Sequence, residues 1–169
     1  TSLRVGLSTV KAFALALNIP VVGVCSLDVI AAGVNEKGID EICVITDARR
    51  GKVYAAIYDQ QLTCKTEYLL TTIEDVLTKV HGKTLFVGDG FMLYKDKIEL
   101  AYKDYHISSA VESKTKGKGA SCQSHFAKEK FWYPKASLLA KLAFDRYDPK
   151  LPRNHSSHAQ NSSLQTHSP

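Results

Sequence analysis

Hydrophobic and polar positions follow a helical rhythm at the start of the chain, a strand-like rhythm in the middle, and a second helical stretch before a polar tail. Leu3, Leu7, Val10, Ala14 and Leu17 recur at spacings of four and three, which predicts a helix over residues 2–17 with one apolar face. Thr1 or Ser2 reads as its cap. Val5, Ser8, Ala12 and Leu15 form a second stripe of small or apolar residues, rimmed by Arg4 and Lys11. Two readings fit this doubly apolar helix. Either it is buried on both sides within one core, or one stripe covers its own sheet while the other packs against another protein. Small residues on the second stripe would let a partner helix approach toward the short end of the roughly 8–10 Å interaxial range.

Asn18-Ile-Pro20 stops the helical pattern, and Val21–Cys25 predicts a short strand apolar on both faces. Ser26 then caps a second helix, with Asp28 in its first turn and Gly33 near its end. Helix, strand and helix in this order make the back half of an α/β unit whose first strands would precede Thr1. Asn35-Glu-Lys-Gly38 is a polar break and marks the expected boundary between a first lobe, 1–37, and a second, 38–148.

Beyond the break, Ile42–Thr46 and Val53–Tyr58 read as strands joined by the turn Asp47–Lys52, and Cys64–Leu70 as a third, giving an antiparallel meander. Thr72-Ile-Glu-Asp75 resembles a capping box, with Asp for the usual Glu, opening a helix to about Val80. A strand over Thr84–Gly88, the turn Gly88-Asp-Gly90 and a helix through about Leu100 follow, with Tyr105–Ile107 as one more short strand. Residues 112–130 are polar and rich in Lys, Gly and Ser, the composition of a flexible loop. Pro134 opens a last helix with Ala136, Leu139, Ala140, Ala143 and Phe144 facing inward. Residues 149–169 offer almost nothing to bury and are expected to be disordered. Three antiparallel strands followed by helix–strand alternation is the order of a ribonuclease-H-like α/β lobe.

Composition narrows the function classes. With 169 residues, 44% of them hydrophobic, the chain can build one substantial core or two small lobes. The net charge of +5 is mild, and the run Lys114-Thr-Lys116-Gly-Lys118 reads as a solvated loop rather than a nucleic-acid platform. Lys11 and Asn18–Pro20 interrupt the longest apolar stretch, so no membrane span is expected, and with no signal peptide visible the expected compartment is the cytoplasm. Cys25, Cys43, Cys64 and Cys122 show no Cys-x-x-Cys pair, which argues against a disulfide framework or a zinc site. The chain opens without methionine and is read as a fragment that has lost an N-terminal piece.

No catalytic constellation stands out. His81 and His106 lie far apart in polar settings, while His155 and His158 have metal-ligand spacing but sit in the polar tail. Two turns are chemically richer. Asp47-Ala-Arg49-Arg-Gly51 places a carboxylate, two guanidiniums and a glycine between paired strands, where backbone amides could meet an anion. Gly88-Asp89-Gly90, between a strand and a helix start, has the form of a phosphate cradle. Asp47, Arg49, Gly51, Gly88, Asp89 and Gly90 are therefore the candidate nucleotide contacts, although ordinary β-turn chemistry explains both segments without a ligand.

Thr1-Ser-Leu-Arg-Val-Gly-Leu-Ser-Thr-Val-Lys-Ala, Ile19-Pro-Val-Val-Gly-Val with Ser26-Leu-Asp28, and Asp47-Ala-Arg-Arg-Gly-Lys-Val-Tyr54 together resemble the motifs of the TsaB (YeaZ) family of tRNA threonylcarbamoyladenosine biosynthesis proteins. The resemblance is good over residues 1–60, looser through Gly88–Gly90 and the Pro134 helix, and absent in the tail. It implies an actin/Hsp70/acetate-kinase-like fold of two ribonuclease-H-like lobes, with the N-terminal lobe incomplete here.

It also implies a non-catalytic partner subunit. Such a subunit pairs with a TsaD-type catalytic subunit and, with a TsaE-type ATPase, serves the synthesis of N6-threonylcarbamoyladenosine beside the anticodon of ANN-reading tRNAs. The first helix would be the interface, through Arg4, Val5, Ser8, Lys11, Ala12 and Leu15. The same stripe would also serve a homodimer. On this reading tRNA is met only indirectly, and ATP or ADP is bound mainly by the partner or at the subunit interface. The alternative is a nucleotide-binding enzyme of the same superfamily. The family's older glycoprotease label is disfavoured, since no nucleophile or metal site offers itself for peptide hydrolysis and the His-x-x-x-His pattern of the catalytic paralogue is lacking. The chain departs from the family pattern in its missing first strands and Gly-Pro-Gly-Ser-Phe lead-in. It also has Ser2 in place of Gly, and a Ser/His-rich stretch where a Pro-x-Tyr-x-Arg segment is usual.

Overall fold

Residues 41–45 and 84–87 are buried without interruption, the behaviour of strands covered on both faces. A computed structural model describes residues 2–34, 36–102 and 124–147 and divides the chain into two units. One comprises residues 25–139; the other comprises residues 1–24 with 140–169.

The larger unit is built on a five-stranded sheet: β1 (Glu41–Arg49), β2 (Lys52–Tyr58), β3 (Leu69–Thr71), β4 (Thr84–Val87) and β5 (Ser124–Phe126), in the order β3-β2-β1-β4-β5. The first three strands are antiparallel neighbours, whereas β1–β4 and β4–β5 are parallel. Alternation along β1 and β2 sends Cys43, Ile45, Val53, Ala55 and Ile57 to one face. There they meet Ile73 and Val76 of α3 (Ile73–Leu77), together with Phe91, Ile98 and Tyr102. Phe91 opens the 3-10 turn Phe91–Tyr94, which continues into helical residues 95–102, here α4. Ile42, Val44, Ala56, Tyr58, Leu85 and Val87 occupy the other face and are covered by Leu27, Ile30 and Ala31 of α2 (Ser26–Ala32).

Several sequence expectations are revised. Cys25, not Ser26, is the N-cap of α2, and it makes no side-chain capping bond. Because α2 packs on the sheet, the unit begins at residue 25 and the expected boundary at 37/38 falls inside it. The third strand is short, and Cys64 makes only an isolated bridge to Tyr58. Thr72 caps α3 as expected, its hydroxyl accepting from the Asp75 N–H at 3.4 Å, but the helix ends at Leu77. β5 lies in the stretch read as flexible. It is held by parallel pairing to β4 and by Phe126, whose ring stacks on Phe91 with centroids 5.3 Å apart. Residues 105–107, 112–123 and 149–169, which carry the remaining strand, loop and tail expectations, lie outside the described residues.

The smaller unit contains α1 (Ser2–Leu17). Asn18, at φ 51°, ends it in a left-handed turn, and Ile19 N donates to Ala14 O at 3.0 Å, the closing bond of a Schellman motif. Val21–Cys25 is not a strand: it pairs with no described segment, and an extended segment without a neighbour leaves its peptide groups without a ladder. The last helix, α5 (Ala136–Arg146), begins in one unit and ends in the other, with no buried residue. Of its expected inward residues only Ala143 is half-buried; Ala136, Leu139, Ala140 and Phe144 are exposed, and Leu138 and Leu142 turn inward instead.

Candidate functional site

Parallel pairing of β1 and β4 brings their carboxyl ends, and so the two chemically rich turns, to one edge of the sheet. β1 runs on through Asp47 to Arg49, past a bulge, and Arg49 pairs with Lys52 across a two-residue turn. Arg49, Arg50 and Gly51 all have positive φ, at 65°, 54° and 73°. Left-handed backbone at both turn residues matches the right-handed twist of a hairpin, and it is strained for the two arginines. Asp47 holds this geometry: its Oδ1 accepts from Arg49 N at 2.8 Å, and its Oδ2 lies 3.4 Å from Arg49 Nη1.

Gly88 and Gly90 press against the backbone of β1. A Cβ on Gly88 would lie 2.1 Å from the Ile45 carbonyl oxygen, and one on Gly90 would lie 2.8 Å from Asp47 N. Gly90 N donates to that same Ile45 oxygen at 3.1 Å. Between the glycines, Asp89 Oδ1 is buried without a hydrogen-bond partner. The fold therefore gathers Asp47, Arg49, Gly88, Asp89 and Gly90, while Gly51 stands at the hairpin tip with nothing within 4 Å. The glycines of the second turn have a packing reason to be small, and the Gly90 N–H is directed at β1 rather than at a phosphate. Among the described residues no three His, Cys, Asp or Glu side chains converge as metal ligands. His81 is exposed, its backbone N–H donating to Glu41, and His106, His155 and His158 lie outside the described residues.

The α1 stripe presents a different surface. Arg4, Val5, Ser8, Lys11, Ala12 and Leu15 are all exposed. Leu3, Leu7, Val10 and Leu17 of the opposite stripe are exposed too, so neither stripe is covered among the described residues. Among the described residues, no helix is long and apolar enough to cross a membrane.

Sequence reasoning missed two polar clusters. Asp28, buried in α2, accepts from the Tyr58 hydroxyl at 2.7 Å and from the Tyr68 hydroxyl at 2.9 Å. Burial first, and then the bond to this carboxylate, push both phenols well above the usual tyrosine range. Glu41, buried at the amino end of β1, pairs with Lys65 and accepts the His81 N–H at 2.9 Å. Asp28, in the first turn of α2, reads as a helix-dipole partner, and Glu41 has no local signal at all; their contacts lie 30 and 40 residues away.

A family model described as TsaD: tRNA N6-adenosine threonylcarbamoyltransferase matches residues 1–138. An uncharacterised protein of Mycobacterium leprae (strain TN) is 55% identical over 58 residues, which is 34% of this chain and 15% of that protein. The tRNA threonylcarbamoyladenosine biosynthesis protein TsaB of Bacillus subtilis (strain 168) is 33% identical over 106 residues, covering 59% of this chain and 45% of that one. The solved structure of YeaZ from Pseudomonas aeruginosa matches with a TM-score of 0.55 at 20% identity, over 84% of this chain and 58% of that one. The chain thus spans about half the length of the TsaB relative and less of the mycobacterial one. The likeness to YeaZ shows the fold, a mixed sheet of the actin/Hsp70/acetate-kinase-like class. With the family model running from α1 into α5, and TsaB and YeaZ proteins among its relatives, the chain belongs to the TsaD family and is a homologue of the TsaB (YeaZ) proteins.

Proposed function

We propose that the chain is a non-catalytic partner subunit in the synthesis of N6-threonylcarbamoyladenosine on ANN-reading tRNAs, docking a TsaD-type catalytic subunit through α1. The observation that carries this reading is the exposure of both apolar stripes of α1, with Val5 at 60% and Leu15 at 76% exposed. Apolar side chains this open on one sixteen-residue helix favour a macromolecular partner. Arg4 and Lys11 form the rim, and Ser8 and Ala12 leave room for a close helix crossing. A TsaE-type ATPase completes the proposed assembly, in the cytoplasm where tRNA is modified, and ATP or ADP belongs to the partner or the interface. A second copy of the chain is the competing occupant of the same stripe.

Affinity capture tests the proposal: the wild-type chain retains a TsaD-type subunit, and Ala12→Glu, which places a charge in the centre of the stripe, abolishes retention. Retention by a folded Ala12→Glu protein refutes the interface. A nucleotide-binding enzyme is less well supported, because Gly88 and Gly90 are accounted for by their contact with β1. That alternative requires ATP or ADP to raise the melting temperature and Asp89→Ala to remove the shift.

A further inference from the structure

The strands β1, β4 and β5 are mutually parallel, so their carboxyl ends share one edge of the sheet, with neighbouring strands about 4.8 Å apart. Two cationic segments leave from that edge. On one side, the β1–β2 hairpin carries Arg49, Arg50 and Lys52, all exposed. On the other, the chain continues from β5 through Lys128, Lys130 and Lys135, also all exposed. The second segment is seated beside the Gly88–Gly90 turn, because the Trp132 ring meets Phe91 edge-on at 5.2 Å and its Nε1 donates to Ala127 O at 2.8 Å. Among the described residues, the two segments and the Gly88–Gly90 turn beside them set three carboxylates against these six cations: Asp47, already engaged by Arg49, then Asp89 and Glu129.

Aromatic rings lie among the cations. The Lys130 and Lys135 ammonium groups stand over the Phe131 ring at 4.8 and 5.7 Å from its centroid. Tyr54, two residues after Lys52 and on the same face of β2, is 50% exposed beside its cross-strand neighbour Leu70. That face is covered by α2 around Ile42, Val44 and Tyr58, but it opens toward the carboxyl edge. A surface with two cationic segments and an accessible ring beside the hairpin cations, on β2, has the chemistry that binds a phosphodiester backbone and stacks a base. An acidic protein could use both the cations and the ring, since tyrosine is enriched at protein interfaces, so it is the tRNA-modification reading that selects RNA.

We propose that this carboxyl edge is an RNA-contact surface, with Lys52, Arg50, Lys130 and Lys135 meeting phosphates and Tyr54 stacking on an unpaired base. The choice of RNA as the polyanion rests on the tRNA-modification reading above, and it makes tRNA a direct ligand rather than one met only through the partner.

Fluorescence anisotropy of a labelled, unmodified ANN-reading tRNA transcript with the full chain, titrated at several salt concentrations from about 50 to 200 mM, tests it. Replacing Lys52 and Lys130 together by Gln flattens the salt dependence of log K by about 1.4–1.8, the value for two lost phosphate contacts. Tyr54→Ala weakens binding about 5-fold or more and leaves that slope unchanged. Lys37→Gln with Lys79→Gln, which removes two exposed charges away from this edge, changes neither quantity.

Equal losses in the two double variants mean diffuse attraction and overturn the surface. So does competition by polyglutamate as strong as that by unlabelled tRNA. Wild-type tRNA affinity in the Lys52/Lys130 variant overturns it as well, and leaves the subunit reading intact if that variant still retains the TsaD-type subunit. Failure of the wild-type chain to retain that subunit refutes the subunit reading alone, since the salt slopes judge the RNA surface independently. Unchanged circular dichroism of each variant keeps the comparison with folded protein.

Discussion

Alanine at position 88 would place its Cβ 2.1 Å from the Ile45 carbonyl oxygen and 2.9 Å from the carbonyl carbon, on a residue whose φ is +111°. Two penalties combine. Backbone in a region open essentially to glycine costs an L-residue about 1–3 kcal/mol. Relieving the overlap means moving Ile45, which is locked into the sheet by its pairing with Ala55 and by the neighbouring Val44–Val87 pair, and overpacking of this kind costs about 1–3 kcal/mol. Gly88→Ala is therefore expected to destabilise the sheet unit by about 4 kcal/mol, in the middle of the summed range.

Gly51→Ala provides the internal comparison: φ there is +73° but nothing lies within 4 Å, so only the left-handed penalty of about 1–2 kcal/mol remains. Gly90→Ala meets Thr46 C at 2.7 Å without a positive φ and falls between them or level with Gly51. Urea unfolding followed through Trp132, the single tryptophan and packed on Phe91, reads the sheet unit directly. At an m-value of about 2 kcal/mol/M, the Gly88 variant should lose about 2 M of midpoint. A loss no greater than that of Gly51→Ala would refute the packing argument and return Gly88 to the role of a ligand-approach glycine.

Other consequences follow from the same contacts. Tyr58 keeps its proton in the folded state to higher pH than in the unfolded chain, because burial and the Asp28 bond raise its pKa from 10.0. Its contribution is thus fully present below about pH 10 and is lost as pH rises beyond, by about 1.4 kcal/mol per pH unit. Tyr58→Phe should make the alkaline fall in urea midpoint shallower by that amount, and parallel curves for the two proteins would contradict it. Thr72→Ala removes the cap of α3 and should cost about 0.5–1 kcal/mol, since the 3.4 Å bond is long, with Thr72→Ser restoring most of it; a neutral Ala variant would deny the cap any energetic role. Leu15→Glu on α1 should leave the unfolding midpoint within about 0.5 kcal/mol of wild type while abolishing capture of the TsaD-type subunit. A large loss of stability would mean that Leu15 is covered within the chain.

What could be read in advance was whatever neighbouring residues declare about each other. The apolar alternation of β1 and β2, the arginine–glycine turn between them and the Thr72 cap are signals contained within a few residues, and each produced its element. β5 is only Ser124-His-Phe126, too short for any period, and exists because β4 offers it a parallel edge. Val21–Cys25 has the composition of a buried strand and pairs with no described segment, for composition does not supply a neighbour. The turn glycines divide in the same way. Gly51 answers to its own φ, whereas Gly88 and Gly90 answer to Ile45 and Thr46, more than forty residues earlier, and the need became visible only once the β1–β4 register was known. The Asp28–Tyr58–Tyr68 cluster and the cationic edge are likewise products of strand order: Lys52 and Lys130 look unrelated along the chain until β1, β4 and β5 are laid side by side. The stripes of α1 follow the same logic. Periodicity alone revealed both of them, yet what covers a stripe is a property of its neighbour, and Val5, Ser8, Ala12 and Leu15 all stand exposed among the described residues.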